Sequence, residues 1–382
     1  MIYFDYAATT PPYDDVINTV AEVMKRHYGN PSSIHQLGED ADKLLRRARE
    51  VCASALQIKP SEVVFTSGAT ESNNFAIKGA AFQYRSRGNH IITTEIEHAS
   101  VYESFLQLKE LGYDVTFLPV DRDGNVSPAQ VGAAIQDNTI LVSVMHVNNE
   151  VGTIQPIREI GQIIKQKHPR VLFHVDGVQG FGKIPVRIKD WGIDLYSLSA
   201  HKIRGPKGVG ILYVHEGVKL FPLLSGGGQE RGLRSGTENI ANIVGMSKAL
   251  RIAHEKQSEN YNKWTEFRDL IVDAIEKIPQ LQLNSTKKGT PNIIHFSYPG
   301  MKSEVLLHTL EQEGVAVSTR SACSSKHTEP SRVLLAMGRD LAAASSGIRI
   351  SLGDDHTLQN VEVLIKALNA AVEKLRPLER GK

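Results

Sequence analysis

The 382-residue chain carries 44 Lys and Arg against 42 Asp and Glu, a formal net charge of +2, and its basic residues are scattered rather than blocked. That balance argues against an electrostatic nucleic-acid groove or an anionic membrane surface as the main partner. A hydrophobic content of 41% suffices for a large core and more than one domain, while two cysteines, Cys52 and Cys323, exclude a disulfide framework and point to a reducing, cytoplasmic setting.

The N-terminus enters structure at once, with no basic start and no apolar signal core, and no segment approaches a transmembrane span. Val16, Ile17, Val20, Val23 and Met24 recur near helical spacing and predict a helix over 14–28, stopped by Gly29-Asn30-Pro31. A second helix is predicted over 36–56, with Leu37, Ala41, Leu44, Leu45, Ala48, Val51 and Leu56 facing inward.

Short apolar strands and helices then alternate. Strands are predicted at 63–65, 90–93, 115–118, 141–145, 171–175, 195–198 and 210–214. Helices are predicted at 69–87, 100–111, 128–134 and 157–167. This alternation implies a mostly parallel sheet with helices on both faces.

The texture changes near residue 250. One long polar helix is predicted over about 245–277, followed by short strands at 293–296, 315–317 and 348–351. The expected organisation is a large α/β domain over 14–250 and a smaller α+β domain built from 1–13 and 251–382.

The chemistry concentrates around Ser199-Ala200-His201-Lys202, upstream of Gly205 and Gly208, and around the apolar run 171–175 that ends in Asp176. Lys202 offers an amine for a Schiff base with an aldehyde cofactor. Asp176 offers a carboxylate for a pyridinium nitrogen. The pair is what pyridoxal phosphate needs, because a protonated ring nitrogen makes that cofactor an electron sink. An ordinary lysine is a solvated surface charge, but this one sits among residues that let backbone approach a ligand.

Thr66-Ser67-Gly68-Ala69-Thr70-Glu71 runs from a strand into a helix, where free N–H groups face an anion. Alone it would be a plain helix start; beside Lys202 and Asp176 it reads as a phosphate cup. The Walker pattern is absent, so a nucleoside triphosphate is not indicated. His98 and Asn149 fall at strand ends, where open α/β sheets bind ligands. His98 could stack on a flat ring and carry protons, and Asn149 could donate to a carboxylate.

Arg349 interrupts an apolar strand, as a fork for a carboxylate does. Cys52 sits on an apolar helix face and reads as a small buried hydrophobe. Cys323 lies in a polar, small-residue loop beside Arg320, Lys326 and His327, which favour thiolate. No metal set emerges: HExxH and CxxC spacings are both missing.

Taken together, Tyr6-Ala7-Ala8-Thr9-Thr10, Gly29-Asn30-Pro31-Ser32-Ser33, Thr66 to Asn74, Glu97-His98, His146 to Gly152, His174-Val175-Asp176, Gln179, His201-Lys202, Arg234 to Asn239 and Ser321-Ala322-Cys323 resemble the cysteine desulfurases of the NifS/IscS type, nearly end to end. The resemblance implies the aspartate-aminotransferase-like fold type I of pyridoxal phosphate enzymes, working as a homodimer. It implies that Lys202 carries the cofactor, Asp176 pairs with the ring nitrogen, Gln179 reaches the ring hydroxyl and His98 stacks on the ring. Ala69, Thr70, Ser199 and His201 would hold the phosphate, with Thr237 arriving from the partner subunit. Asn149 and Arg349 would grip the substrate carboxylate, and Cys323 would accept sulfur from L-cysteine as a persulfide, leaving L-alanine.

The Ser-Ala-Cys stretch is similar to the longer-loop group of the family rather than to its Arg-x-Gly-His-His-Cys group. The chain ends soon after a helix, whereas members dedicated to iron–sulfur assembly often have a longer tail. The resemblance implies an iron–sulfur scaffold protein or a tRNA-thiolation enzyme as sulfur acceptor, and the shorter tail leaves room for the latter or for another dedicated acceptor. Two other readings stand beside this one: a same-fold aminotransferase or selenocysteine lyase, and a non-catalytic assembly partner.

Overall fold

The computed structural model describes residues 1–319 and 329–378. In chain order the strands are β1 (Ile2–Tyr3), β2 (Val63–Thr66), β3 (His90–Thr94), β4 (Asp114–Leu118), β5 (Thr139–Ser143), β6 (Leu172–Asp176), β7 (Leu195–Ser199), β8 (Gly210–Val214), β9 (Gln282–Leu283), β10 (Ile293–Ser297), β11 (Val315–Ala316) and β12 (Gly347–Ser351). The helices are α1 (Asp14–Arg26), α2 (Gln36–Leu56), α3 (Ala69–Gln83), α4 (Ala99–Glu110), α5 (Pro128–Ala134), α6 (Ile157–Lys167), α7 (Ile240–Glu255), α8 (Gln257–Glu276), α9 (Ser303–Gln312), α10 (Arg332–Ala336), α11 (Leu341–Ser345) and α12 (Leu358–Leu375).

Seven strands form one sheet in the order β2-β8-β7-β6-β5-β3-β4. The pairs among β7, β6, β5, β3 and β4 are parallel, while β8 runs antiparallel to both of its neighbours. Side chains alternate across it. Phe65, Ile92, Val142, Phe173 and Tyr196 enter the core on one face. Val64, Ile91, Leu141, Leu172 and Leu195 enter the core on the other. Strands covered on both sides must be apolar throughout, which is why they read as continuous hydrophobic runs.

A separate core gathers Phe4, Trp264, Phe267, Ile294, Phe296, Leu306, Ile348, Ile350 and Leu364. It packs on the antiparallel sheet β12-β10-β9. The first residues join it: β1 pairs in parallel with β11, and Ser351 N donates to Phe4 O at 2.7 Å.

Two expectations need correction. The long helix predicted over 245–277 is two helices meeting at Lys256. The physical reason is a change of core: Met246, Leu250 and Ala253 pack under the large sheet, whereas Trp264, Phe267 and Ile271 pack in the second core. Leu37, expected inward, is exposed in the first turn of α2.

Candidate active site

A cavity of about 530 Å³ opens at the carboxyl ends of the large sheet. Ala69, Thr70, His98, Asn149, Asp176, Gln179, Ser199, His201, Lys202 and Arg349 all line it. Most reach it because parallel strands deliver their following loops to the same edge. Thr237, the residue expected from a partner, is exposed and is not among the lining residues. Cys323 lies outside the described residues.

Lys202 ends a short helical turn that begins at Ala200, just after β7. Its Nζ donates to Ala7 O at 2.6 Å and to Ala8 O at 2.7 Å. Thr10 fixes the same turn, with its Oγ1 donating to His201 O at 2.8 Å and accepting from Arg204 N at 2.8 Å. Gln179 joins this cluster by donating from Nε2 to Ala7 O at 3.0 Å. The segment 7–10 therefore sets where the lysine turn sits, which accounts for the Tyr-Ala-Ala-Thr-Thr run noticed in the sequence.

Asp176 closes β6 and is buried. Its Oδ2 accepts from Asn73 Nδ2 at 2.8 Å and its Oδ1 from Val178 N at 3.1 Å. Both donors are neutral, so neither cancels the charge of the carboxylate. Asn73 Nδ2 also donates to Ser100 Oγ at 2.9 Å, and Ser100 Oγ lies 2.9 Å from His98 Nδ1. His98 caps α4, where its Nδ1 accepts from Ser100 N at 3.2 Å. That contact assigns Nδ1 as acceptor and leaves the proton of the neutral ring on Nε2. Burial lowers the His98 pKa, with Lys202 and Arg332 adding and Asp176 opposing.

At the start of α3, Gly68 has φ +151° with ψ 177°, a conformation that side chains rarely allow, and a Cβ placed there would meet only Ser199 Oγ, at 3.7 Å. Its freedom opens the floor of the cup. Glu71 holds the turn by accepting from Ser67 N at 2.9 Å and pairing with Arg234 at 2.8 Å. His201 completes this side. Burial pushes its imidazole down to about 3, and Lys202, Lys207 and Lys183 push the same way.

Arg349 comes from β12 in the other sheet and is 1% exposed. Its Nη1 donates to Asn149 O at 2.7 Å and its Nη2 to Asp5 Oδ1 at 2.8 Å.

Sequence reasoning passed over several groups here. Asn73 and Ser100 link Asp176 to His98; their signal was position, since Asn73 sits in the second turn after the cup and Ser100 two residues past His98. Asp5 and Lys183 gave no signal, because only the folded chain brings them to Arg349 and to the lysine turn. Lys183 Nζ donates to Lys202 O at 2.7 Å, and burial pushes its pKa down to about 7, with Lys202 acting the same way.

The cavity suits pyridoxal phosphate on its own features: a buried carboxylate at one end, a glycine-floored helix start at the other, and an amine between. Over residues 2–364 the chain matches the family described as aminotransferase class-V, and it belongs to that family. The family depends on pyridoxal phosphate.

Among its relatives is the cysteine desulfurase IscS of Dictyoglomus turgidum, 45% identical over 99% of this chain and 96% of that protein. A solved NifS-like protein is 39% identical with a TM-score of 0.93, covering 98% of this chain and all of the other. SspA in complex with cysteine is 38% identical with a TM-score of 0.82, covering 92% of this chain and 99% of the other.

Proposed function

We propose that this chain is a cysteine desulfurase that moves the sulfur of L-cysteine to Cys323 and on to a protein acceptor. The observation that carries the reading is the convergence of Lys202, Asp176, His98 and Arg349 on one cavity, in a chain whose full-length relatives are cysteine desulfurases. The solved relative in complex with cysteine supports the same substrate.

Bound there, pyridoxal phosphate would supply an electron sink for charge developing at the substrate Cα. Asp176, oriented by Asn73 and Val178, would hold the ring nitrogen in its protonated form. Ser199, His201, Thr70 and the N–H groups following Gly68 would hold the phosphate. Arg349 and Asn149 orient the substrate carboxylate, which fixes the Cα–H bond toward Lys202. Lys202 takes the Cα proton. His98, with its Nε2–H, moves a second proton.

The Cys323 thiolate attacks the substrate sulfur. An S–S bond forms as the C–S bond breaks, and the electron pair left on the substrate carbon takes up a proton. The products are a Cys323 persulfide and L-alanine.

The second subunit and the acceptor also belong to this proposal. Thr237, exposed in one copy, fits a phosphate contact made to the neighbouring copy. The acceptor is an iron–sulfur scaffold or a tRNA-thiolation enzyme receiving the terminal persulfide sulfur. Among the described residues no helix is long and apolar enough to cross a membrane, and a reducing cytoplasm suits the use of Cys323 as a thiolate.

A single-turnover assay with L-cysteine tests the reading. Wild type should yield alanine and protein-bound persulfide, while Cys323→Ala keeps its cofactor band and yields neither. Alanine formation undiminished in Cys323→Ala would remove Cys323 as acceptor and favour a different reaction of this fold.

A further inference from the structure

Arg349 is 1% exposed, yet it is the residue proposed above to grip an incoming carboxylate. Its guanidinium is already engaged at both terminal nitrogens, by Asn149 O and by the Asp5 carboxylate, and its Nε is buried without a partner. Asp5 is the more accessible member of this ion pair, its side chain 17% exposed against 1% for Arg349. Its main chain is fixed independently of that pair: Asp5 bridges Ser351 in parallel fashion, and Asp5 O accepts from Ala8 N at 3.0 Å, while the Ala8 amide also faces the Asp5 carboxylate. A carboxylate displaced from Arg349 would give up that bond and the one from the Ala8 amide while its main chain stayed fixed.

A buried guanidinium left unpaired is strongly unfavourable. Two carboxylates crowded onto one fork repel each other. We propose that Asp5 is a placeholder for the substrate carboxylate: it keeps Arg349 paired and positioned between turnovers and competes with the amino-acid ligand for the same guanidinium. The proposal rests on the reading of Arg349 as the carboxylate site. Its consequence is selectivity. Only a ligand that brings its own carboxylate can replace Asp5, so amines lacking one bind without that exchange. Asp5 is a positioning residue here, acting through Arg349.

The test uses holoenzyme and two ligands, L-alanine and ethylamine, which differ by the carboxylate. Binding is read from the visible absorbance of the bound cofactor, in wild type, Asp5→Asn, Asp5→Glu and Arg349→Gln. Asp5→Asn keeps the shape and one acceptor oxygen but removes the competing charge. It should tighten L-alanine binding by at least about threefold, as expected when a like charge leaves the site, with ethylamine unchanged. Asp5→Glu should restore the wild-type affinity. If Asp5→Asn does not accumulate, Asp5→Ser carries the same expectation.

Unchanged or weaker alanine binding in Asp5→Asn, with preference for alanine over ethylamine lost in Arg349→Gln, would overturn the placeholder while sparing the carboxylate site. Preference retained in Arg349→Gln would overturn both.

Discussion

Glu97 stands beside His98 and is 1% exposed. Its Oε1 accepts from Thr94 Oγ1 and from Met145 N, each at 2.9 Å, while Oε2 is buried without a partner. Burial pushes the carboxyl from its ordinary 4.5 up to about 8, with Asp176 adding and Met145, Thr94 and Arg332 opposing. Between those values the folded chain keeps a proton that the unfolded chain has released. Stability contributed by the neutral form is therefore full below about 4.5 and lost as pH rises toward 8. Glu97→Gln cannot ionise and keeps the Oε1 contacts. It should gain roughly 1–3 kcal/mol on wild type between pH 5 and pH 8.5. Urea unfolding of both proteins at the two pH values measures this, and parallel curves would show that Glu97 is ionised in the fold. The Glu97-His98 pair was legible as a motif, but the raised pKa of Glu97 was not, because it depends on Thr94 at the end of β3 and on the Met145 amide brought in from just past β5.

At the scale of elements, the strands and most helices followed from apolar runs and helical spacing, and the cup before α3 followed from its glycine. Strand order did not. The antiparallel β8 slots between β2 and β7, a choice made by contacts distant in sequence. At that junction Gly210 pairs with both Thr66 and Ser199. A Cβ on it would come within 2.6 Å of Leu198 O and 2.7 Å of Gly68 Cα. Gly161 in α6 is as tightly packed, with Trp191 O 1.8 Å from its missing Cβ; neither glycine lines the cavity, but Gly210 abuts Gly68 and pairs with Ser199, which do. Both Gly→Ala variants should lose about 1–3 kcal/mol or more by overpacking. Gly210→Ala should in addition weaken capture of pyridoxal phosphate by about tenfold, since about 1.4 kcal/mol of misplacement at the cup suffices. Cofactor titration beside urea unfolding separates the two effects; equal cofactor affinity in both variants would show that the cup tolerates the shift.

At the scale of the molecule, the two cores meet through the N-terminal segment. Phe4 lies in one core, while Ala7 and Ala8 receive the lysine of the other unit. The proposed division into 14–250 and 1–13 with 251–382 thus puts Arg349 and Lys202 on different units facing one cavity. A third contribution is argued to come from a second copy. Helix α1 is apolar on two adjacent stripes: Val16 and Val23 face inward, whereas Ile17 and Met24 are exposed, as are Tyr28, Ile34 and Leu37 beyond them. Val23, Ala41 and Ile240 pack together, so this surface adjoins the start of α7, three residues past Thr237. These exposed apolar residues are the surface that the proposed second copy would cover. If the proposed second copy covers this surface, Met24→Glu with Ile34→Glu should give a monomer in sedimentation velocity and weaken pyridoxal phosphate binding in parallel, because a lone copy would lack the Thr237 proposed to come from its neighbour. Mixed dimers make the argument specific. Pairing a Thr237→Ala subunit with a Lys202→Ala subunit leaves one site with both wild-type residues, so half of the wild-type cofactor should bind with wild-type affinity. If Thr237 instead serves its own subunit, no site in the mixed dimer has both residues and that tight half disappears.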